Sequence, residues 1–326
     1  MKSKLFIITP VKHIKNFLNL AKKNFQISVY EKPKKRALIK NIKKFDYIFT
    51  NPNMSKIFLD GEILKNSKIK AICTASTGTN HIDLSYVKKN GIKLLSLTQE
   101  KKIIRKLSST AELAFCLSLM GLRHINESSK SVKKGEWSYL DYVGRSLNNI
   151  NILTIGYGRL GRIYSKFCMS FGANMSFYDP YVNIKSKKLN RITKLGKDLK
   201  KFDIISLNIH ALKKNINFLS NRLFKYFKQD VIIINTSRGE VINEEHLLKF
   251  LKNNRKSKYL ADVIKGEQRN IENNILLKEY KKQNDQIFLT PHIGGMTEQG
   301  QALAYKHALN MLIKYDKYLK KNNKFC

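Results

Sequence analysis

Apolar residues in this chain come in short continuous runs, separated by longer stretches where they recur at helical spacing. Residues 5–9, 26–30, 47–50 and 69–75 are runs rich in Ile and aromatics, and a Lys-rich amphipathic stretch of helical length follows each. Strands alternating with helices of that length predict βαβ units and a parallel sheet. Asp83 reads as the cap of a clean helix over residues 84–90, with Gly91 as its stop, and residues 92–95 read as the next strand.

The rhythm then changes. Residues 108–134 form one long helical pattern, apolar at most positions at first, which predicts a helix covered on several sides, between domains or subunits. A second series of strands follows near 151–155, 174–178, 203–208, 231–235, 259–263 and 287–289, with helices between them. The fold class expected is α/β: two doubly wound parallel-sheet domains. Residues 1–102 with 297–326 would form one, and residues 103–296 the other, inserted into it. The last helix, from about Glu298, would return to pack on the first half. There is no tandem repeat.

A length of 326 residues suits two domains of about 150 residues each. No apolar run approaches the roughly 20 residues needed to cross a bilayer. The apolar stretch within residues 1–9 is shorter than that of a secretory leader, and no further domain is expected beyond the return helix. The reading is a cytosolic protein without a membrane partner. Cys73, Cys116 and Cys168 lie in apolar segments and Cys326 is terminal, so buried thiols are expected, with neither a disulfide framework nor a metal site.

Charge is the unusual quantity: 62 basic against 24 acidic residues, a formal +38. The excess is mostly Lys, scattered in singles and pairs rather than alternating with aromatics as a single-strand groove would require. It predicts solubility and some attraction for anionic substrates, and not a nucleic-acid partner.

The run Ile152-Leu-Thr-Ile-Gly156-Tyr-Gly158-Arg-Leu-Gly161 carries G-x-G-x-x-G between an apolar strand and a helical pattern, the context that gives this spacing meaning. Gly156 permits a tight turn, Gly158 lets a pyrophosphate reach the backbone, and Gly161 lets helix and strand pack closely. The amides of Arg159 and Leu160, at the helix start, would face the anion. Asp179 stands 18 residues past Gly161, where a carboxylate accepts from ribose hydroxyls and repels a 2′-phosphate. NAD is therefore the expected cofactor. Lys185, Lys187 and Lys188 follow it and leave some tolerance for NADP.

Three later strand ends carry ionisable residues: Arg238 after one, Asp262 and Glu267 after the next, His292 after the last. In an open α/β sheet, ligands bind beyond the carboxyl ends of the strands, where these groups would converge.

With these residues in place the chain resembles the D-isomer-specific 2-hydroxyacid dehydrogenase family, and most the 3-phosphoglycerate dehydrogenase branch. The resemblance rests on Thr77-Gly-Thr-Asn-His-Ile-Asp83, Ser109-Thr-Ala-Glu112, the fingerprint with Tyr-Asp-Pro, Asn235-Thr-Ser-Arg-Gly239, Asp262 to Glu267, and Thr290-Pro-His-Ile-Gly-Gly295. It implies a Rossmann NAD-binding domain inserted into a flavodoxin-like substrate domain. It also implies hinge segments near residues 98–108 and 293–296. The implied activity is NAD-dependent hydride transfer between a D-2-hydroxy acid and its 2-oxo acid. Spacings of 29 residues from Arg238 to Glu267 and 25 on to His292 suit the family's Arg, Glu and His.

Each type has a chemical reason. As hydride leaves C2, the hydroxyl proton needs a base, and imidazole suits neutral pH. A carboxylate at Glu267 hydrogen-bonded to it favours the imidazolium and fixes the ring. Arg238 offers a planar fork to the substrate carboxylate and polarises the oxygen at C2. By the resemblance, Asp262 and the carbonyls of Thr236, Ser237 and Arg238 hold the nicotinamide carboxamide. His292, Gly294 and Gly295 belong to the same cofactor contact. The backbone amides of Thr77, Gly78, Thr79 and Asn80 meet the substrate carboxylate, and the long apolar helix with Trp137 suggests a homodimer seam, as in the family.

This chain departs from the family at three places. The loop after the third strand reads Thr50-Asn-Pro-Asn-Met54, where the family presents basic or hydroxyl-bearing residues. Gln268 replaces a Pro, and the region of a His-x-Pro signature reads Leu207-Asn-Ile-His210. Lys101, Lys102, Arg105 and Arg145 are candidates for binding a distal anion, so a phosphoglycerate-like acid and other 2-hydroxy acids both remain open. The alternative from another class is a non-catalytic NAD-sensing scaffold or corepressor on the same fold.

Overall fold

The computed structural model describes residues 1–322 apart from 53–56, 185, 187 and 268–270, together with every described side chain except that of Lys101. Lys185, Lys187, Gln268, Cys326 and the Asn53–Met54 part of the loop after the third strand lie outside the described residues. The chain divides into two units, Met1–Leu107 with Met296–Cys326, and Ser108–Gly295. Among the described residues no helix is long and apolar enough to cross a membrane.

Unit 1 contains β1 (Lys4–Ile7), α1 (Phe17–Asn24), β2 (Gln26–Val29), α2 (Lys35–Asn41), β3 (Tyr47–Thr50), α3 (Gly61–Leu64), β4 (Ala71–Thr74), α4 (Leu84–Lys89), β5 (Lys93–Ser96) and α5 (Lys101–Ile104). Its five parallel strands run in the order β2-β1-β3-β4-β5, the flavodoxin-like order. β3 and β4 are buried at every position, which is why they read as unbroken apolar runs. α4 starts where expected: the Asp83 carboxylate accepts from the Tyr86 N–H at 3.0 Å, and Gly91 beyond it has φ +64°.

Unit 2 contains α6 (Ser109–Leu122), α7 (Ile125–Lys133), β6 (Asn151–Ile155), α8 (Arg159–Ser170), β7 (Asn174–Tyr178), β8 (Asn190–Arg191), β9 (Ile204–Leu207), α9 (Asn221–Phe224), β10 (Ile232–Asn235), α10 (Glu244–Asn253), β11 (Lys258–Ala261), α11 (Ile275–Lys281) and β12 (Ile287–Leu289). All strand pairs are parallel, in the order β12-β11-β10-β9-β6-β7-β8. The order reverses at β6, so the loop after β6 sits at the switch point of a Rossmann sheet.

The final helix, α12 (Glu298–Asn322), belongs to unit 1. Ala304, Ala308, Leu309 and Leu312 join the core built on β1, β3 and β4. Asp316 pins its second half: Ser3 Oγ and Tyr47 Oη donate to Oδ1 at 2.6 and 2.9 Å, and Lys320 Nζ to Oδ2 at 2.7 Å.

Three expectations need correction. Residues 108–134 form two helices rather than one. The Leu122 carbonyl accepts from Arg145 N–H at 2.9 Å instead of continuing the helix, and His124 takes φ +52°. Cys116 is exposed, while Cys73 and Cys168 are buried; within this chain α6 buries Ala111, Ala114, Leu117, Ser118, Gly121 and Leu122 and leaves its opposite face uncovered. Arg145 is engaged with Asp203, Nη1 to Oδ1 at 2.8 Å, where Lys228 Nζ also binds at 2.7 Å. Burial alone would raise the Asp203 carboxyl. Lys228, the Asn151 N–H and Arg145 more than offset that and hold it below the usual carboxylate range.

Candidate active site

The turn after β6 is built from glycines with distinct duties. Gly156 has φ +92°, and a Cβ there would lie 2.5 Å from the Asn208 carbonyl oxygen. At Gly161 a Cβ would fall 2.1 Å from the Gly156 oxygen, so only glycine lets α8 approach the turn. At Gly158 a Cβ would meet nothing within 4 Å. That glycine is not demanded by the protein's own packing. It leaves bare backbone at the start of α8, where Gly158 is the N-cap and Arg159 and Leu160 open the helix. The N-terminus of a helix beside open space suits a pyrophosphate, which satisfies the fit of these residues to NAD.

Asp179 stands just past β7, beside that turn. Its Oδ2 accepts from the Tyr157 N–H at 2.8 Å and Oδ1 from the Tyr181 N–H at 2.9 Å, and each oxygen retains a lone pair for a hydroxyl. Tyr157 stacks on Phe177 with centroids 4.3 Å apart and carries the Arg162 guanidinium over its ring at 4.9 Å. Burial of Arg159 lowers its pKa.

β10, β11 and β12 are neighbours, and their carboxyl ends carry Arg238, Glu267 and His292. His292 Nδ1 and Glu267 Oε1 are 2.6 Å apart, with side chains 25% and 16% exposed. A carboxylate only accepts, so the proton sits on Nδ1. His292 has φ +58°, a left-handed conformation uncommon for a residue other than Gly.

Asp262 accounts for that conformation. It is 1% exposed. Its Oδ1 accepts from Thr290 Oγ1 at 2.6 Å and from Ile293 N–H at 2.7 Å, and Oδ2 from Gly294 N–H at 2.7 Å. Both oxygens are thus taken up by the chain's own turn. The residue clamps the segment around His292, and Thr110 Oγ1 holds that segment from α6 through the Gly294 carbonyl at 3.1 Å. Burial pushes the Asp262 carboxyl upward in pKa, against these donors. A Cβ at Gly294 would sit 2.9 Å from Asp262 Oδ2, so the clamp needs glycine there, whereas Gly295 borders open space.

The Arg238 turn is set by Asn235, which is fully buried. Asn235 Oδ1 accepts from Ser237 N–H and Oγ at 3.1 and 2.8 Å, and its Nδ2 donates to the Arg238 carbonyl at 3.0 Å. Thr236 is buried within the same turn. Arg238 is half-buried, its Nη1 donating to the Ser237 carbonyl at 2.6 Å.

On unit 1, Thr77, Gly78, Thr79 and Asn80 form the loop after β4. Ser76 Oγ donates to the Gly78 carbonyl at 2.6 Å and Thr98 Oγ1 to the Thr77 carbonyl at 3.0 Å. His81 beneath it is 2% exposed and touches Thr74 Oγ1 at 3.3 Å; burial lowers its pKa to about 4, so it is neutral. Lys102 and Arg105 are exposed.

Sequence reasoning passed over Asn235, His81, Glu244 and Asn274. Only the last two carried a usable signal. Asn243 caps α10, with Glu244 in its first turn, and Asn274 caps α11, both just before apolar helical runs.

A fingerprint turn at the switch point, with an imidazole–carboxylate pair at strand ends three and four places along the same sheet, is the arrangement of a dinucleotide-binding α/β protein. Residues 115–294 match the family described as D-isomer specific 2-hydroxyacid dehydrogenase, NAD binding domain, and the chain belongs to that family. It is 26% identical over 285 residues to the D-3-phosphoglycerate dehydrogenase of Archaeoglobus fulgidus, covering 86% of this chain and 51% of that one. The chain therefore spans about half the length of that relative. It is 27% identical over 319 residues to the glyoxylate reductase of Thermococcus litoralis, with 92% and 90% covered. Its fold is like that of a 3-phosphoglycerate dehydrogenase from Entamoeba histolytica solved with NAD+ bound, at a TM-score of 0.77 and 21% identity, covering 97% and 96%.

Proposed function

We propose that the protein is an NAD-dependent 2-hydroxyacid dehydrogenase that interconverts a small 2-oxo acid and its D-2-hydroxy acid. The observation that carries this reading is the 2.6 Å pair of His292 Nδ1 and Glu267 Oε1, held on neighbouring strand ends in the unit that bears the glycine cradle. Bound NADH supplies the hydride that reaches C2. His292 donates a proton to the C2 oxygen as that hydride arrives, and takes it back in the reverse direction; we assign this transfer to Nε2, since Nδ1 serves Glu267. Glu267 stabilises the imidazolium and fixes its ring plane. Arg238 binds the substrate carboxylate and polarises the C2 oxygen. Gly156, Gly158, Gly161, the amides of Arg159 and Leu160, and Asp179 hold the adenosine diphosphate portion. Thr236, Ser237, Asp262, Gly294 and Gly295 shape the nicotinamide end. On unit 1 the Thr77–Asn80 amides are offered to the substrate carboxylate.

For the acid itself we favour glyoxylate or a similarly small 2-oxo acid over a phosphorylated one. The glyoxylate reductase named above is matched over nine tenths of its length, the phosphoglycerate dehydrogenase over half. Arg145, a candidate for a distal phosphate, is committed to Asp203. We also propose a homodimer. Trp137, Tyr139, Leu140 and Val143 are 88, 81, 70 and 74% exposed along one segment, an apolar strip that self-association would cover. Its described cysteines are free thiols, as suits the cytosol.

Purified protein should oxidise NADH with glyoxylate, and more slowly with 3-phosphohydroxypyruvate. His292→Ala should lose at least about 100-fold in kcat while binding NADH normally. Normal NADH binding with no turnover across a broad 2-oxo-acid panel would favour the scaffold or corepressor instead.

A further inference from the structure

Glu244 is a buried acid with no part in the chemistry above. It is the first residue of α10, six positions past Arg238, and only 6% exposed. Among the described residues, the groups hydrogen-bonded to its carboxylate are N–H donors. Oε1 accepts from the Lys265 backbone N–H at 2.8 Å and from Asn274 Nδ2 at 3.0 Å, and Oε2 accepts from the same Asn274 nitrogen at 2.7 Å. Asn274, itself 6% exposed, also donates to the Lys265 carbonyl at 3.0 Å.

These bonds tie residue 265 to residue 274, and so close the base of the loop that presents Glu267. Gly266, with φ +71°, makes the turn between the tied residue and the carboxylate. From below, Gly239 presses against the same backbone: a Cβ there would lie 2.0 Å from the Ile264 carbonyl carbon and 2.2 Å from the Lys265 nitrogen. The stretch from Arg238 to Glu244 is thus fastened to the Glu267 loop at two points. Burying a carboxylate is costly, and a chain needing only a loop anchor could use a neutral side chain. An acceptor-only carboxylate serves both donors, the Lys265 N–H and the Asn274 amide, and gives the amide either oxygen. Burial raises the Glu244 carboxyl above the usual carboxylate range, opposed by the Lys265 N–H, the Asn274 amide and the Lys265 charge, and reinforced by Glu240.

We propose that Glu244, with Asn274, is a positioning residue that fixes Glu267 against His292 and keeps the Arg238 turn and the Glu267 loop in one register. The proposal rests on the dehydrogenase reading for its kinetic consequence but not for its structural one.

The test uses the full chain and the variants Glu244→Gln, Asn274→Ala and, as reference, Glu267→Gln. Glu244→Gln places an amide N–H2 against the donors that the carboxylate serves. It should lower kcat for 2-oxo-acid reduction about ten- to a hundred-fold, with KM for the acid and Kd for NADH within about two-fold. Asn274→Ala removes the two bonds from Asn274 to Glu244 and the one to the Lys265 carbonyl, leaving the Lys265 N–H bond, and should act in the same direction, so it stands in if Glu244→Gln does not fold. The second readout needs no turnover. The proton on His292 Nδ1, assigned among seven histidines by its loss in His292→Ala, should resonate far downfield in the wild type. It should move upfield in Glu244→Gln, toward its place in Glu267→Gln. Variants that melt at lower temperature yet keep wild-type kcat and a wild-type Nδ1 proton would overturn the proposal and leave Glu244 a stability residue. A wild-type protein that turns over no 2-oxo acid would sink the dehydrogenase reading alone, because the proton shift would still decide this one.

Discussion

At the scale of single residues, the glycines of the fingerprint separate what the fold needs from what a ligand needs. Gly161→Ala forces a methyl to 2.1 Å from the Gly156 oxygen and should destabilise the protein by roughly 1–3 kcal/mol. Gly158→Ala adds a methyl to open space and should leave the melting temperature within a degree, yet weaken NADH binding about ten-fold or more. Thermal melts and fluorescence titration on the two variants check both halves; equal loss of stability would refute the assignment of Gly158 to the cofactor. This much was legible in the sequence, because glycine spacing between a strand and a helix has few other uses. The tasks of Asp262 and Glu244 were not. Each acidic side chain answers to N–H groups 21 to 32 positions away, and nothing local says which donors will face it.

At the scale of elements, apolar runs gave most strands to within two residues, since a strand buried on both faces has nowhere to place a polar side chain. β8 escaped notice because it is two polar residues at a sheet edge. The break between α6 and α7 escaped because Gly121, the only breaker residue near it, lies inside the last turn of α6 rather than past its end; a distant amide, that of Arg145, takes the Leu122 carbonyl. Helix α12 was expected from its periodicity, but its anchor was not. Burial alone would raise the Asp316 carboxyl; Lys320, Ser3 and Tyr47 outweigh it, and the folded value lies below the ordinary one. A depressed acid of this kind contributes stability that is complete above about pH 4, the unfolded value, and disappears as pH falls through the folded value. Asp316→Ala should therefore cost roughly 2–3 kcal/mol at pH 7 and much less near pH 2. Denaturant melts at the two pH values measure the difference, and a cost independent of pH would rule the ionised anchor out.

At the scale of the whole molecule, periodicity announced two parallel-sheet units and the sequence pointed to Trp137 as a seam residue, while the exposure of Tyr139, Leu140 and Val143 beside it emerged only with coordinates. Light scattering at micromolar concentration should report the mass of two chains, and Trp137→Glu with Leu140→Glu should return it to one; a monomeric wild type would remove the dimer. One consequence follows from where α12 lies. Unit 1 is sewn from both ends of the described chain, with Ala304, Ala308 and Leu312 filling its core, whereas unit 2 is one uninterrupted stretch. During synthesis, then, the nucleotide-binding half can assemble from contiguous chain, while the half that precedes it must wait, its sheet partly uncovered, for a helix translated almost two hundred codons later. Any aggregation hazard on the ribosome is concentrated in that interval.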